Sequence, residues 1–115
     1  MALHPGDIYL SSAYGKPRPI VIVSREDLNR GRYVVAVPLT SRRLTDRWGA
    51  GNCVALQRGE AGLAQNCVAQ CEAVSMVRVD ELDLERGYVG ALGEATLDEV
   101  VRAIGYVISA ECKRR

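Results

Sequence analysis

Apolar residues along this chain gather in short runs, and only the C-terminal stretch repeats with helical spacing. Ile8-Tyr9-Leu10 follows a Pro5-Gly6 turn and predicts a first strand. Ile20-Val21-Ile22-Val23 is an unbroken β-branched run, the pattern of a strand buried on both faces. Between them, Tyr14-Gly15-Lys16-Pro17 interrupts, because glycine and two nearby prolines cannot continue a ladder. Residues 32–39 predict a second strong strand, centred on Val34-Val35-Ala36-Val37; Pro38 near its end implies an edge or a strand terminus. Cys53-Val54-Ala55-Leu56 reads as a strand, and residues 67–71 and 74–79 as two further short strands or one bent one.

Polar segments set the joints. Ser24 with Asp27 three residues on is a loose capping signal for one helical turn. Residues 41–51 are polar and basic and end in Gly-Ala-Gly, which predicts a loop or hairpin tip. Gly59-Glu60-Ala61-Gly62 is a turn, and residues 82–87 suggest a short helical turn closed by Gly87. Thr96-Leu97-Asp98-Glu99 reads as a capping box. Leu97, Val100, Val101, Ile104, Val107 and Ile108 then form one apolar stripe, and Lys113, Arg114 and Arg115 suit a helix C-terminus. Five or six short strands and one long C-terminal helix follow. The expected fold is mainly β, a β-rich α+β domain over residues 1–115: a bent, mostly antiparallel sheet or small barrel capped by the helix.

Composition narrows the function. With 115 residues and 48 % hydrophobic content, the chain can build one core of modest size. No apolar run approaches the roughly 18 residues of a membrane span. The first residues carry no basic region followed by a long apolar stretch, so neither signal peptide nor membrane is expected, and the location expected is cytoplasmic. Net charge is only +1, yet residues 1–58 hold nine Lys/Arg against four Asp/Glu, and residues 59–115 six against ten. That N-terminal excess suits a polyanion such as RNA; an ordinary solvated surface accounts for it equally well. Cys53, Cys67, Cys71 and Cys112 form no Cys-x-x-Cys pair and there is one histidine, so reduced thiols serving as small hydrophobes are expected, with no metal and no cofactor.

Residues able to do chemistry are few. His4 sits in an N-terminal segment expected to fray, which disfavours Ser-His-Asp and Cys-His arrangements. Asp80, Glu81, Asp83 and Glu85 cluster on a polar turn and read as a solvated face. No glycine-rich phosphate loop is present. What remains is Arg18, wedged between Pro17 and Pro19 at the mouth of a strand, and Thr40 with Ser41 at the end of another. A backbone-restricted Arg near hydroxyl donors can clamp a phosphate, although Thr and Ser after a strand more often cap or turn the chain.

These residues fall in a recognisable series. Gly6-Asp7-Ile8-Tyr9 resembles the opening of MazF/PemK-type toxins, the endoribonucleases of type II toxin–antitoxin systems. Arg18-Pro19-Ile20-Val21-Ile22-Val23-Ser24 resembles their Arg-Pro strand, and Val37-Pro38-Leu39-Thr40-Ser41 their strand end. Gly62-Leu63, Cys67-Val68 and Cys71-Glu72 follow in order, and the final helix occupies the family's last position. The resemblance implies a small SH3-like barrel of the CcdB/MazF type and a homodimer. It also implies sequence-selective, metal-independent cleavage of single-stranded RNA: the 2′-hydroxyl attacks the adjacent phosphorus, leaving a cyclic phosphate and a free 5′-hydroxyl. It makes Arg18 and Thr40 the catalytic pair. Around them Tyr14, Lys16, Ser41, Arg42 and Arg43 are candidate RNA contacts, and Gln70 and Glu72 candidate supports. An acidic antitoxin with a disordered segment is the implied partner.

The sequence departs from the family at two places. The loop before Arg18 is short, so the relatives' target sequence does not carry over, and Ala73 stands where many relatives have glutamine, with Gln70 nearby. Two other readings are a CcdB-like toxin that poisons gyrase and a nucleic-acid-binding module without catalysis.

Overall fold

The computed structural model describes residues 2–108. Seven strands form a half-barrel in which every pairing is antiparallel: β1 (Asp7–Ser11), β2 (Arg18–Ile22), β3 (Tyr33–Thr40), β4 (Cys53–Leu56), β5 (Cys67–Gln70), β6 (Ser75–Arg78) and β7 (Tyr88–Ala91). Their order is β4-β5-β3-β2-β1-β7, with β6 paired to β3 off this path. Two helices complete the fold, α1 (Leu44–Arg47) and α2 (Glu94–Val107). The mainly β architecture with a C-terminal helix is the one the strand runs predict.

β3 organises the sheet. Ala36, Val37 and Pro38 pair with β2, while Tyr33–Ala36 pair with β6 and Leu39 and Thr40 with β5. β5 and β6 behave as one long strand broken by a 3₁₀ turn, Cys71–Ala73, across which the register slips. The break falls opposite Val37 and Pro38, where proline has no N–H to give. Pro38 is therefore inside the sheet and buried, not at an edge or a terminus, because its missing donor faces the interruption.

The sheet buries both faces. Ile20, Val21 and Ile22 are fully buried, as the continuous β-branched run predicts. Ile8, Val21, Val37, Leu39, Leu56 and Val100 belong to the core under α2; Leu3, Tyr9, Ile20, Ile22, Val34 and Val77 form a second core. Cys53, Cys67 and Cys71 are free, buried thiols; Cys112 lies outside the described residues. Burial pushes the Cys67 thiol up to about 11 and the Cys71 thiol up to about 12.

Several local expectations are corrected. α2 starts two residues before Thr96, after Gly93, so Thr96 caps nothing; its hydroxyl instead donates to Glu60 Oε2 at 3.1 Å. On α2, Val100 and Ala103 are buried, whereas Val101 is exposed, as is Ile108 just past the helix end. Lys113, Arg114 and Arg115 lie outside the described residues. Ser24 does not cap the 3₁₀ turn Leu28–Arg30: it is buried, donates to Asn29 Oδ1 and accepts from Val35 N at 2.9 Å. Asn29 in turn donates to the Leu3 carbonyl at 3.0 Å, and His4 meets Glu26 at 3.0 Å, so this N-terminal segment is tied down and not frayed. β7 was not expected; Gly87 and Gly90 break its apolar pattern, and two of its four residues are exposed. Residues 41–51 contain the single turn of α1.

Candidate active site: a cationic groove

The connection from β1 to β2 is a tight hairpin. Ser11 pairs with Arg18 and accepts from Ala13 N at 3.0 Å, and Gly15 turns the chain at φ +95°. This geometry sets Arg18 at the first position of β2, half-buried and braced by a proline on each side. Thr40 closes β3. It is only 8 % exposed, and its Oγ1 accepts from Arg42 N at 3.1 Å, the turn that hydroxyl residues make after a strand. That bond uses the hydroxyl as acceptor and leaves its hydrogen available to a ligand.

The two strand ends open on one groove of about 780 Å³. Lys16, Arg18 and Arg42 supply its charge, and Tyr14, Thr40 and Ser41 further polar groups. The lining contains no Asp, Glu or His. Arg18 makes no ion pair or side-chain hydrogen bond among the described residues, so its five N–H donors point to no internal acceptor. Among these residues no three of His, Cys, Asp and Glu gather as a cation cage. A larger hollow of about 1130 Å³ lies elsewhere, but it mixes Arg32, Arg78 and Arg86 with Asp80, Asp83 and Glu85, and Arg78 is already paired with Asp80 at 2.9 Å. The smaller groove is the one built for an anion.

Not every sequence candidate reaches it. Arg43 turns away at φ +54° and pairs with Asp46 at 3.0 Å. Gln70 and Glu72 lie outside the lining; Glu72 accepts from Asn52 Nδ2 at 2.8 Å and from Gln70 Nε2 at 3.5 Å. Ala73, at the position of the relatives' glutamine, offers its carbonyl to the Tyr14 hydroxyl at 3.4 Å. That hydroxyl also meets Ser75 Oγ at 2.6 Å, and the Tyr14 ring packs against the second core, so Tyr14 forms groove wall. Two polar lining residues escaped the sequence reading: Gln65, whose Nε2 donates to Ser41 Oγ at 3.4 Å, and Tyr88 on the unexpected β7.

Comparison with known proteins identifies the family and the fold. Residues 4–108 match the model of the PemK-like, MazF-like toxins of type II toxin–antitoxin systems. No curated protein matches in sequence. Among solved structures, a mycobacterial endoribonuclease in complex with its cognate antitoxin is 25 % identical, with a TM-score of 0.77 over 95 % of this chain and 97 % of that one. The Mycobacterium tuberculosis toxin MazF-mt6 is 24 % identical, with a TM-score of 0.74 over 90 % and 96 %. A MazE–MazF complex from Deinococcus radiodurans shares the fold at 18 % identity, with a TM-score of 0.70 over 94 % and 96 %. With the half-barrel, the final helix and 105 consecutive residues matched, the chain belongs to the PemK-like, MazF-like toxin family of type II toxin–antitoxin systems.

Proposed function

We propose that this toxin is a metal-independent endoribonuclease that cleaves single-stranded RNA in the groove between the β1–β2 hairpin and the end of β3. The observation that carries the reading is Arg18: unpaired, braced by two prolines, and beside the Thr40 hydroxyl in a groove with three cations and no carboxylate. The RNA supplies its own nucleophile. Its 2′-oxygen bonds to the adjacent phosphorus as the bond from phosphorus to the 5′-oxygen breaks. The 2′-hydroxyl gives up its proton and the departing oxygen gains one, leaving a cyclic phosphate and a 5′-hydroxyl end. The protein's tasks are alignment and charge stabilisation. Arg18 holds the non-bridging oxygens as charge builds, and Thr40 donates to the same phosphate. Lys16 and Arg42 guide the strand, and Ser41 assists at the rim.

The same reading gives the toxin two protein partners. A second copy would cover apolar surface such as Val101 on α2 and Ile108 just past it, and light scattering showing a monomer at micromolar concentration would exclude that dimer. An acidic, extended antitoxin would lay carboxylates where RNA phosphates bind. The deciding experiment is incubation with a long RNA in excess EDTA, with the cut ends mapped. Wild type should cut and leave cyclic-phosphate ends. Arg18→Ala should cut about 10²–10³-fold more slowly, and Thr40→Ala should lose less. An Arg18→Ala protein as active as wild type, or cutting that needs added magnesium, would refute the mechanism. A gyrase poison or a purely binding module would leave the RNA intact.

A further inference from the structure

Tyr88 is the groove's most open aromatic side chain, 56 % exposed at the first position of β7. It is nonetheless held in place. Its ring stands edge-on to the buried Tyr9 ring, centroids 5.3 Å apart and planes at 65°, with the two residues facing each other across the β1–β7 pair. The next residue, Val89, lies backbone-to-backbone against Gly62, whose added Cβ would come 2.2 Å from the Val89 carbonyl. That contact brings β7 beside the segment that carries Gln65, and Tyr88 and Gln65 both line the groove. Gln65 is exposed, and its carboxamide makes a single long bond, 3.4 Å from Nε2 to Ser41 Oγ. Its carbonyl oxygen and second N–H stay free, a donor beside an acceptor, which is the pattern that matches the edge of a base.

A cationic groove alone grips any polyanion. An aromatic face beside an amide adds something different, since a base can be read in this way only when it is unstacked. We propose that Tyr88 and Gln65 form a nucleobase subsite: one unpaired base stacks on the Tyr88 ring while the Gln65 carboxamide reads its edge. The subsite rests on the RNA-cleaving reading above and supplies it with base selectivity. Tyr14 is the weaker candidate for stacking, because its ring packs on the second core and its hydroxyl is bonded to Ser75.

The test has a binding arm and a cleavage arm. In the first, a short single-stranded RNA with 2′-O-methyl groups, which lacks the attacking hydroxyl, is titrated against wild type, Tyr88→Phe and Tyr88→Leu. Leucine keeps apolar bulk beside Tyr9 and removes the π-face. Tyr88→Leu should weaken binding roughly ten- to hundredfold, while Tyr88→Phe stays within about twofold of wild type. In the second arm, a random-sequence RNA pool is cut by wild type and Gln65→Ala, and the sites are mapped. Gln65→Ala should lose preference at one nucleotide position and keep the rest. Unchanged binding by Tyr88→Leu, equal weakening by both Tyr88 variants, or an unaltered cleavage profile for Gln65→Ala would overturn the subsite. If Arg18→Ala also loses cutting, the parent reading stands without it. Full cutting by Arg18→Ala would overturn the parent reading instead, with the binding arm still reporting on Tyr88.

Discussion

Salt dependence of RNA binding tests the groove's charge count directly. Lys16, Arg18 and Arg42 are its cations, and no carboxylate opposes them. If each neutralises one phosphate of a single strand, log affinity falls against log salt with a slope of about −0.7 per contact, hence about −2.1 for all three. Raising salt from about 50 to 200 mM then weakens binding about 18-fold. Arg18→Ala leaves two contacts, a slope of about −1.4, and a loss of about sevenfold over the same range. Arg43→Ala is the control, because Arg43 lies outside the groove and already pairs with Asp46 at 3.0 Å. Its slope should equal that of wild type. Fluorescence anisotropy with a labelled, uncleavable RNA at four or five salt concentrations would give all three lines. A wild-type slope near zero, or a drop in slope for Arg43→Ala as large as for Arg18→Ala, would show that the groove is not the polyanion site.

Two further predictions concern the scaffold. Gly62→Ala must place a Cβ 2.2 Å from the Val89 carbonyl at φ +79°, so it should lower stability by about 2 kcal/mol or more, read as a lower denaturant midpoint; an unchanged midpoint would refute the close approach. Cys67 and Cys71 hold their protons more tightly folded than unfolded, so their contribution is complete below the ordinary thiol range and is lost as pH rises toward about 11 and 12. Stability should fall above about pH 9, by up to roughly 1.4 kcal/mol per pH unit for each thiol, and a Cys67→Ala, Cys71→Ala double variant should flatten that fall.

Much of this was legible along the chain because local chemistry and global structure agree there. The run Ile20-Val21-Ile22 could only be a strand buried on both faces, and the flanking prolines of Arg18 advertised a braced side chain at its mouth. Thr40 was legible for the same reason, as the hydroxyl at a strand end. Misreadings arose where tertiary contact decided. Thr96 and Glu99 have the spacing of a capping box, but the carboxylate that the Thr96 hydroxyl meets belongs to Glu60, distant in sequence. Arg42 and Arg43 are alike in composition, yet the left-handed backbone at Arg43 sends it to Asp46 and out of the groove. Gln70 ends β5 and Glu72 lies in the turn after it; the strand's first residue, Cys67, lines the groove, but these two sit at the far end near Asn52. Tyr88 and Gln65 were invisible because the backbone contact between Gly62 and Val89, which sets their two segments side by side, leaves no apolar or charge pattern.

The change of partners along β3 gives the groove a mechanical character. In the sheet itself, β5 pairs with β3 at only two residue pairs, Leu39–Ala69 and Thr40–Val68. Both Leu39 and Thr40 also line the groove. The site thus lies on the suture between two sub-sheets, with Lys16 and Arg18 on one side and Gln65 and Cys67 on the other. A strand of RNA seated there would act as a splint across that suture. On the RNA-cleaving reading, one bound strand would therefore touch both sub-sheets at once, and the groove exists only where the two are paired.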